Sequence, residues 1–368
     1  VTVPERRVSH APGAYRRLGD MDVADLEVLR LILRGGSVID WRRLHFRDAT
    51  EVDRFLHLHL FDRENPRDVA RMRAILAQAV EYLRSAYGYR VAQAVAEPAD
   101  LRTLFLIASG IAEPSRFRRI ACVVLKVMHV IHHLEARELL FRTPLRESDL
   151  ADRVDRRVMA VAQEMAAQGL PVIEFQGNRK SRSSLVTKLL VKKESVAAQV
   201  FDRVRYRVIT RTGADVAPVL RHLFEVLFPF NYVVPGQSEN SLLAFRRLVG
   251  EHPRARELAP QLQEPLELEA GKKKRENPFT EASYRALHFV VDLPVRIDDI
   301  LPDGPAPDGE DLGHIVFSMV EFQVMDEETA KRNEHGPASH RRYKKRQAVT
   351  ALRRLSRGLV VPRKRKKR

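Results

Sequence analysis

Four short stretches in the second half of the chain carry side chains suited to phosphate chemistry. The first is Arg179-Lys180-Ser181, followed by Ser184 and Lys188. On a helix beginning near Ser181, residues Ser181, Ser184 and Lys188 fall at i, i+3 and i+7 and share one face, with Lys180 just ahead of the first turn. Hydroxyls and cations at a helix N-terminus suit triphosphate oxygens, because the unpaired N–H groups and the dipole both favour anions. An ordinary Lys/Ser-rich helix start looks the same. The second stretch, Phe201 to Arg207, sets Asp202 at the head of a strand whose one face shows Arg203, Arg205 and Arg207. It reads either as a solvated, salt-bridged strand or as a metal-ligand carboxylate beside arginines that clamp phosphates.

The third stretch is Tyr284-Arg285-Ala286-Leu287-His288, entering a strand. Tyr284 is placed to stack a base, or simply to pack at a half-buried strand start. The fourth is Val320-Glu321-Phe322-Gln323-Val324, continuing to His335-Gly336, His340 and Tyr343-Lys344. An acid within an apolar strand is costly unless paired, metal-bound or on a solvated face. Glu321 and Gln323 share a face, so one strand presents both to one ligand.

In order, these stretches read Lys-Ser-x-x-Ser-x-x-x-Lys, Asp-x-x-x-x-Arg, Tyr-x-x-Leu-His and Glu-x-Gln. A downstream Glu-x-Gly-x-Ala-x-His-x-x-Tyr-Lys then runs over Glu334, Gly336, Ala338, His340, Tyr343 and Lys344. The series resembles the synthetase domain of RelA/SpoT alarmone enzymes. That resemblance implies a nucleotidyltransferase-like fold, ATP as pyrophosphate donor, and Mg²⁺ held by Asp202 and Glu321, which form the catalytic pair. Arg179, Lys180, Ser181, Ser184, Lys188, Arg205 and Arg207 would form the ATP-binding set. Tyr284, stacking on guanine, would bind the acceptor with His288 and Gln323. The activity implied is attack of a ribose 3′-hydroxyl on the β-phosphorus of ATP, with AMP leaving. The acceptor would be GDP or GTP, or the 3′ end of tRNA as in toxic members of the superfamily; a third reading is a catalytically weak nucleotide- or RNA-binding module. The chain departs from the family pattern at Asn178 (Arg in the family), Ser283 (Gly), Arg285-Ala286 (Gln-Ser) and Met325-Asp326 (Arg-Thr). The segment before Tyr284 is also enlarged, which leaves the acceptor's identity open.

These residues need a scaffold of alternating strands and helices. Helices are expected near 148–168, 181–194 and 214–227 and from about Glu327. Strands are expected at 171–175, 203–209, 286–292 and 315–324. Short helices are expected at 241–248 and 254–259, inside an insertion spanning about 230–283. Upstream, Leu26, Leu29 and Leu33 recur with helical spacing, and Asn65-Pro66 opens another helix. The expected fold class is α/β (α+β): an all-helical domain over 1–145, a mixed β-sheet domain flanked by helices over 146–346, and a basic tail over 347–368.

The net charge of +16 is concentrated at the end: Lys331 to Arg368 holds sixteen Lys or Arg and one acid, Glu334. Such a block reads as a solvated tail, an RNA or ribosome contact, or a membrane-surface contact. The single cysteine, Cys122, allows no internal disulfide and no multi-cysteine zinc site. With no long apolar run and no export signal read at the N-terminus, a cytoplasmic location is expected. Long alarmone enzymes carry an N-terminal hydrolase built on a His-Asp pair; the chain has none. His129 and His133 stand at i, i+4 and could share a metal, though histidines flanking an amphipathic helix explain them as well. The helical half is expected to regulate or to bind a partner.

Overall fold

The structure, a computed structural model, describes residues 15–37, 44–179, 181–191, 204–262, 266, 283–300, 311–335 and 340–356. The side chains of Arg182, Lys188, His340, Arg341 and Tyr343 are outside the description. Helices α1 (Val23–Arg34), α2 (Ala49–Leu58), α3 (Pro66–Tyr87), α4 (Gln93–Ala96), α5 (Leu101–Ser109), α6 (Arg118–Arg142) and α7 (Glu147–Ala167) come first. Then follow β1 (Val172–Arg179), α8 (Arg182–Val191), β2 (Val204–Thr210), α9 (Val216–Val226), β3 (Glu239–Asn240), α10 (Phe245–Gly250) and α11 (Ala255–Leu258). The chain continues with β4 (Leu287–Arg296), β5 (Ile315–Asp326), α12 (Glu327–His335) and α13 (His340–Leu355). Helix ends follow local chemistry. Asp22 accepts from the Asp25 amide to open α1, and Gly35 closes it at φ 65°. Pro66 fills the first turn of α3 behind the cap Asn65.

The sheet runs β1-β2-β5-β4-β3, with β2 and β5 parallel and the other pairs antiparallel. Alternation divides its side chains between two faces. Tyr206, Val208, Val320, Phe322, Val324, Leu287, Phe289 and Val291 line one face, each at 0% exposure. They pack against α7 and α9. The opposite face carries Arg205, Arg207, Glu321, Gln323 and His288. A second apolar cluster joins α2, α3, α5 and α6.

The clusters do not divide at residue 145. Leu26, Leu29, Ile32 and Leu33 of α1 belong to the sheet core with Phe245 and Leu248, because that stripe fits against α9 and α10. Arg157 of α7 ties the two layers. Half-buried, it donates to the carbonyls of Leu227 (2.8 Å), Pro294 (2.8 Å) and Leu58 (3.4 Å). Burial lowers its pKa to about 10, so it stays charged at neutral pH. Arg157→Met should destabilise the fold by about 3–5 kcal/mol in urea unfolding, since three carbonyls lose a charge-assisted donor. A change under about 1 kcal/mol would mean other donors replace it.

Of the histidines of α6, His132 is buried, and His129 and His133 are half-buried. The helix covers the lower half of the polar sheet face. His133 stacks on Phe317 (centroids 4.2 Å apart, 9° between planes), and its Nδ1 lies 3.6 Å from Asp292 Oδ2. The Asn231 amide donates to His59 Nε2 (3.0 Å) and His129 Nδ1 (3.2 Å). Among the described residues no group of three or more His, Cys, Asp or Glu could hold a metal ion. None of the described helices is long and apolar enough to cross a membrane.

Candidate active site

The upper half of the polar face is built from two cross-strand rows. Register places Gln176, Arg207, Gln323, His288 and Glu239 side by side across all five strands. The next row is Asn178, Arg205, Glu321 and Val290. Directly paired residues share a face, so the predicted Arg205, Arg207, His288, Glu321 and Gln323 converge.

Glu321 is 8% exposed. Its Oε2 accepts from Arg205 Nη2 at 2.9 Å, and its Oε1 accepts from His288 Nδ1 at 2.9 Å. The other ring nitrogen of His288, Nε2, lies 3.2 Å from the Tyr284 hydroxyl. Gln323 donates to that hydroxyl through Nε2. A hydrogen-bonded chain therefore runs from Gln323 through Tyr284 and His288 to Glu321. Burial pushes the Tyr284 hydroxyl up to about 12, keeping it protonated near neutrality.

Tyr284 is backed by a small apolar cluster of Ile209, Ala286, Met325 and Ala330. The departures from the family pattern acquire roles here. Met325 is 1% exposed and completes the cluster. Asp326 caps α12, accepting from the Thr329 amide at 2.9 Å and hydroxyl at 2.7 Å. Asn333 of α12 grips the backbone next to Tyr284, donating to the Arg285 carbonyl at 2.7 Å and accepting from its amide at 3.2 Å.

The expected phosphate-binding set is partly assembled. Ser181 and Ser184 lie at the start of α8, hydroxyl to hydroxyl at 3.1 Å, and Lys344 of α13 reaches Ser184 at 3.4 Å. Arg207 pairs with Glu334 at 2.8 Å and more loosely with Glu174 at 3.7 Å. Arg179 turns outward to Asp152 at 2.7 Å rather than towards the rows. Lys180 and Asp202 lie outside the described residues, as does the side chain of Lys188. The sequence reading missed Gln176 and Glu239 and left Lys344 without a role. Alternation in β1 signals Gln176, whereas a two-residue β3 gives Glu239 no periodicity to read.

For a divalent cation, the two rows supply the carboxylate of Glu321, with Glu239 at the far end of the neighbouring row. Mg²⁺ commonly takes one or two carboxylates and completes its shell with substrate phosphates and water, so the donor chemistry fits.

No protein-family model matches the chain, and no curated protein sequence matches it. Among solved structures, small alarmone synthetase 1 from Bacillus subtilis bound to its product pppGpp overlaps 55% of this chain and 87% of its own, at 14% identity and TM-score 0.29. A GTP pyrophosphokinase family protein from Streptococcus pneumoniae overlaps 56% and 87%, at 14% identity and TM-score 0.27. Small alarmone synthetase 2 from Bacillus subtilis gives 55% and 86%, at 14% identity and TM-score 0.26. Overlaps this loose carry no weight for function, which rests on the chain's own side chains.

Proposed function

We propose that the chain transfers pyrophosphate from ATP to a ribose hydroxyl of a guanosine nucleotide. The observation that carries this reading is Glu321, held between Arg205 and His288 with Tyr284 on the same sheet face. The hydroxyl oxygen bonds to the β-phosphorus, the bond from that phosphorus to the bridging oxygen of the α-phosphate breaks, and AMP leaves. The hydroxyl proton passes to Glu321 or to water. Such a reaction needs alignment and charge neutralisation more than covalent catalysis. Asp202 and Glu321 would hold Mg²⁺, which when bound supplies that neutralisation. Ser181, Ser184, Lys180, Lys188 and Arg207 would hold the ATP phosphates, joined by Lys344. Arg207 would then exchange Glu334 for phosphate. The Tyr284 ring, fixed through its hydroxyl, would stack the guanine, with His288 and Gln323 beside it. In this scheme residues 146–346 form the catalytic unit, with α1 packed into its core, and the upstream helices regulate it.

The test is labelled ATP and Mg²⁺ with either GDP and GTP or bulk tRNA. Label on the guanosine nucleotides supports the proposal. Label on tRNA alone would replace the acceptor, and binding without transfer would reduce the chain to a nucleotide-binding module.

Tyr284→Ala should raise the KM for the acceptor about 10- to 100-fold, as loss of one base–aromatic stack would. The KM for ATP should hold steady. Steady-state kinetics varying each substrate separates the two, and equal rises in both KM values would remove Tyr284 from the acceptor pocket.

A further inference from the structure

We propose that the helical layer holds a ligand of its own: a small, uncharged, mostly apolar molecule carrying one hydrogen-bonding group. A cavity of about 90 Å³ lies between α2, α3, α5, α6 and the turn at 230–232. Its wall is largely aromatic and aliphatic, with Phe55, Met72, Phe105 and Phe230 among its residues. His132 and Asn231 also border it, at 8% and 9% exposure, and His132 Nε2 and Asn231 Oδ1 are buried with no hydrogen-bond partner among the described residues. The Asn231 NH₂ is already used on His59 and His129, which leaves its oxygen over. Buried polar atoms without partners are rare and call for an occupant.

Water is a poor occupant. The space exceeds the roughly 10–15 Å³ one water needs, and a single water meets His132 Nε2 and Asn231 Oδ1, but further waters would find a wall made mostly of Phe, Leu, Ile and Met. A charged ligand is no better suited. Burial keeps His59, His129 and His132 neutral. Lys126, the single Lys, Arg, Asp or Glu on the wall, is partly exposed and already engaged. At about 90 Å³ the space is smaller than the roughly 150 Å³ apolar cavity that takes benzene, so a single compact ring is the upper limit of size. The wall also borders the candidate site's scaffold. Three residues beyond Asn231, the Val234 amide donates to the Val290 carbonyl at 2.8 Å, and Val290 pairs with Glu321.

Phenol and benzene at millimolar concentration are the probes, with the full chain followed by calorimetric melting and titration calorimetry. Phenol should raise Tm by about 2 °C when present at about ten times its Kd. Benzene should bind several-fold more weakly, because it leaves both polar atoms unmet. Ile75→Phe fills the cavity and should abolish the shift; Cys122→Leu serves if that variant does not fold. No shift with either probe, or a shift that persists in the filled variant, would overturn the site. Equal binding of the two probes would overturn the role of His132 and Asn231.

Discussion

Glu321→Gln is expected to lower pyrophosphate transfer about 10³-fold, the range over which acid–base and metal-holding groups act, while the melting temperature moves little. The amide keeps the shape of the carboxylate but only one acceptor oxygen; turned to His288 it preserves the hydrogen-bonded chain to Tyr284, while its NH₂ group then faces the Arg205 donor. What disappears is the negative charge. Without it a cation loses an oxygen ligand, and the half-buried Arg205 loses its counter-charge. Single-turnover rates measured with saturating ATP separate a loss of chemistry from a loss of binding. Retained activity in a folded variant would remove Glu321 from the reaction.

The second large effect concerns stability in acid. Burial holds His59 down to about 3, His133 and His222 to about 4, and His129 and His132 well below their ordinary value. Groups facing this cluster offer little relief. Around His59, His129, His132 and His133, Arg157 and Arg71 bear positive charge, Arg71 pairs with Glu135, and Asp292, raised to about 6 by burial, lies 3.6 Å from His133; His222 lies apart on α9 beside Arg221 and its partner Glu225. A histidine whose pKa is depressed on folding contributes stability above its unfolded value near 6.5 and loses it as pH falls below that. Asp292 acts in the opposite sense, since the folded state takes up its proton near pH 6.

Five histidines opposed by one carboxyl leave the unfolded state about four protons ahead below pH 6. At about 1.4 kcal/mol per proton per pH unit, stability should fall by about 5 kcal/mol for each unit. A fold worth 5–15 kcal/mol should then unfold by about pH 4–5. Urea midpoints from pH 7.5 to 4.5 measure the slope. His133→Phe keeps the stack on Phe317 and should flatten the slope by about one proton. A slope near zero would mean the cluster is wet.

Much of the candidate site was legible because it sits on strands. Period-two alternation alone puts Arg205 with Arg207 and Glu321 with Gln323, and only the strand order was needed to bring them together. The helix start at Asn65 was equally readable from its cap and the proline behind it. Less was legible where tertiary packing decides. The leucines of α1 announce a buried stripe but not its partner, which is the sheet core rather than the following helices. The histidines of α6 have the same spacing whether they face solvent or Phe317. Arg179 was expected among the phosphate-binding residues, yet it goes to Asp152, whose approach from α7 no local pattern predicts. Asp202 and Lys180 lie outside the described residues, so their part remains a proposal.

The reaction itself is tested most directly by the fate of the β-phosphorus. With ATP labelled there, Mg²⁺ and GDP, ³¹P spectra should show the β- and γ-phosphates arriving together on one ribose oxygen, one AMP appearing for each acceptor consumed. Release of ADP with a single phosphate moved, or ATP left intact beside a folded protein, would contradict pyrophosphate transfer at this sheet face.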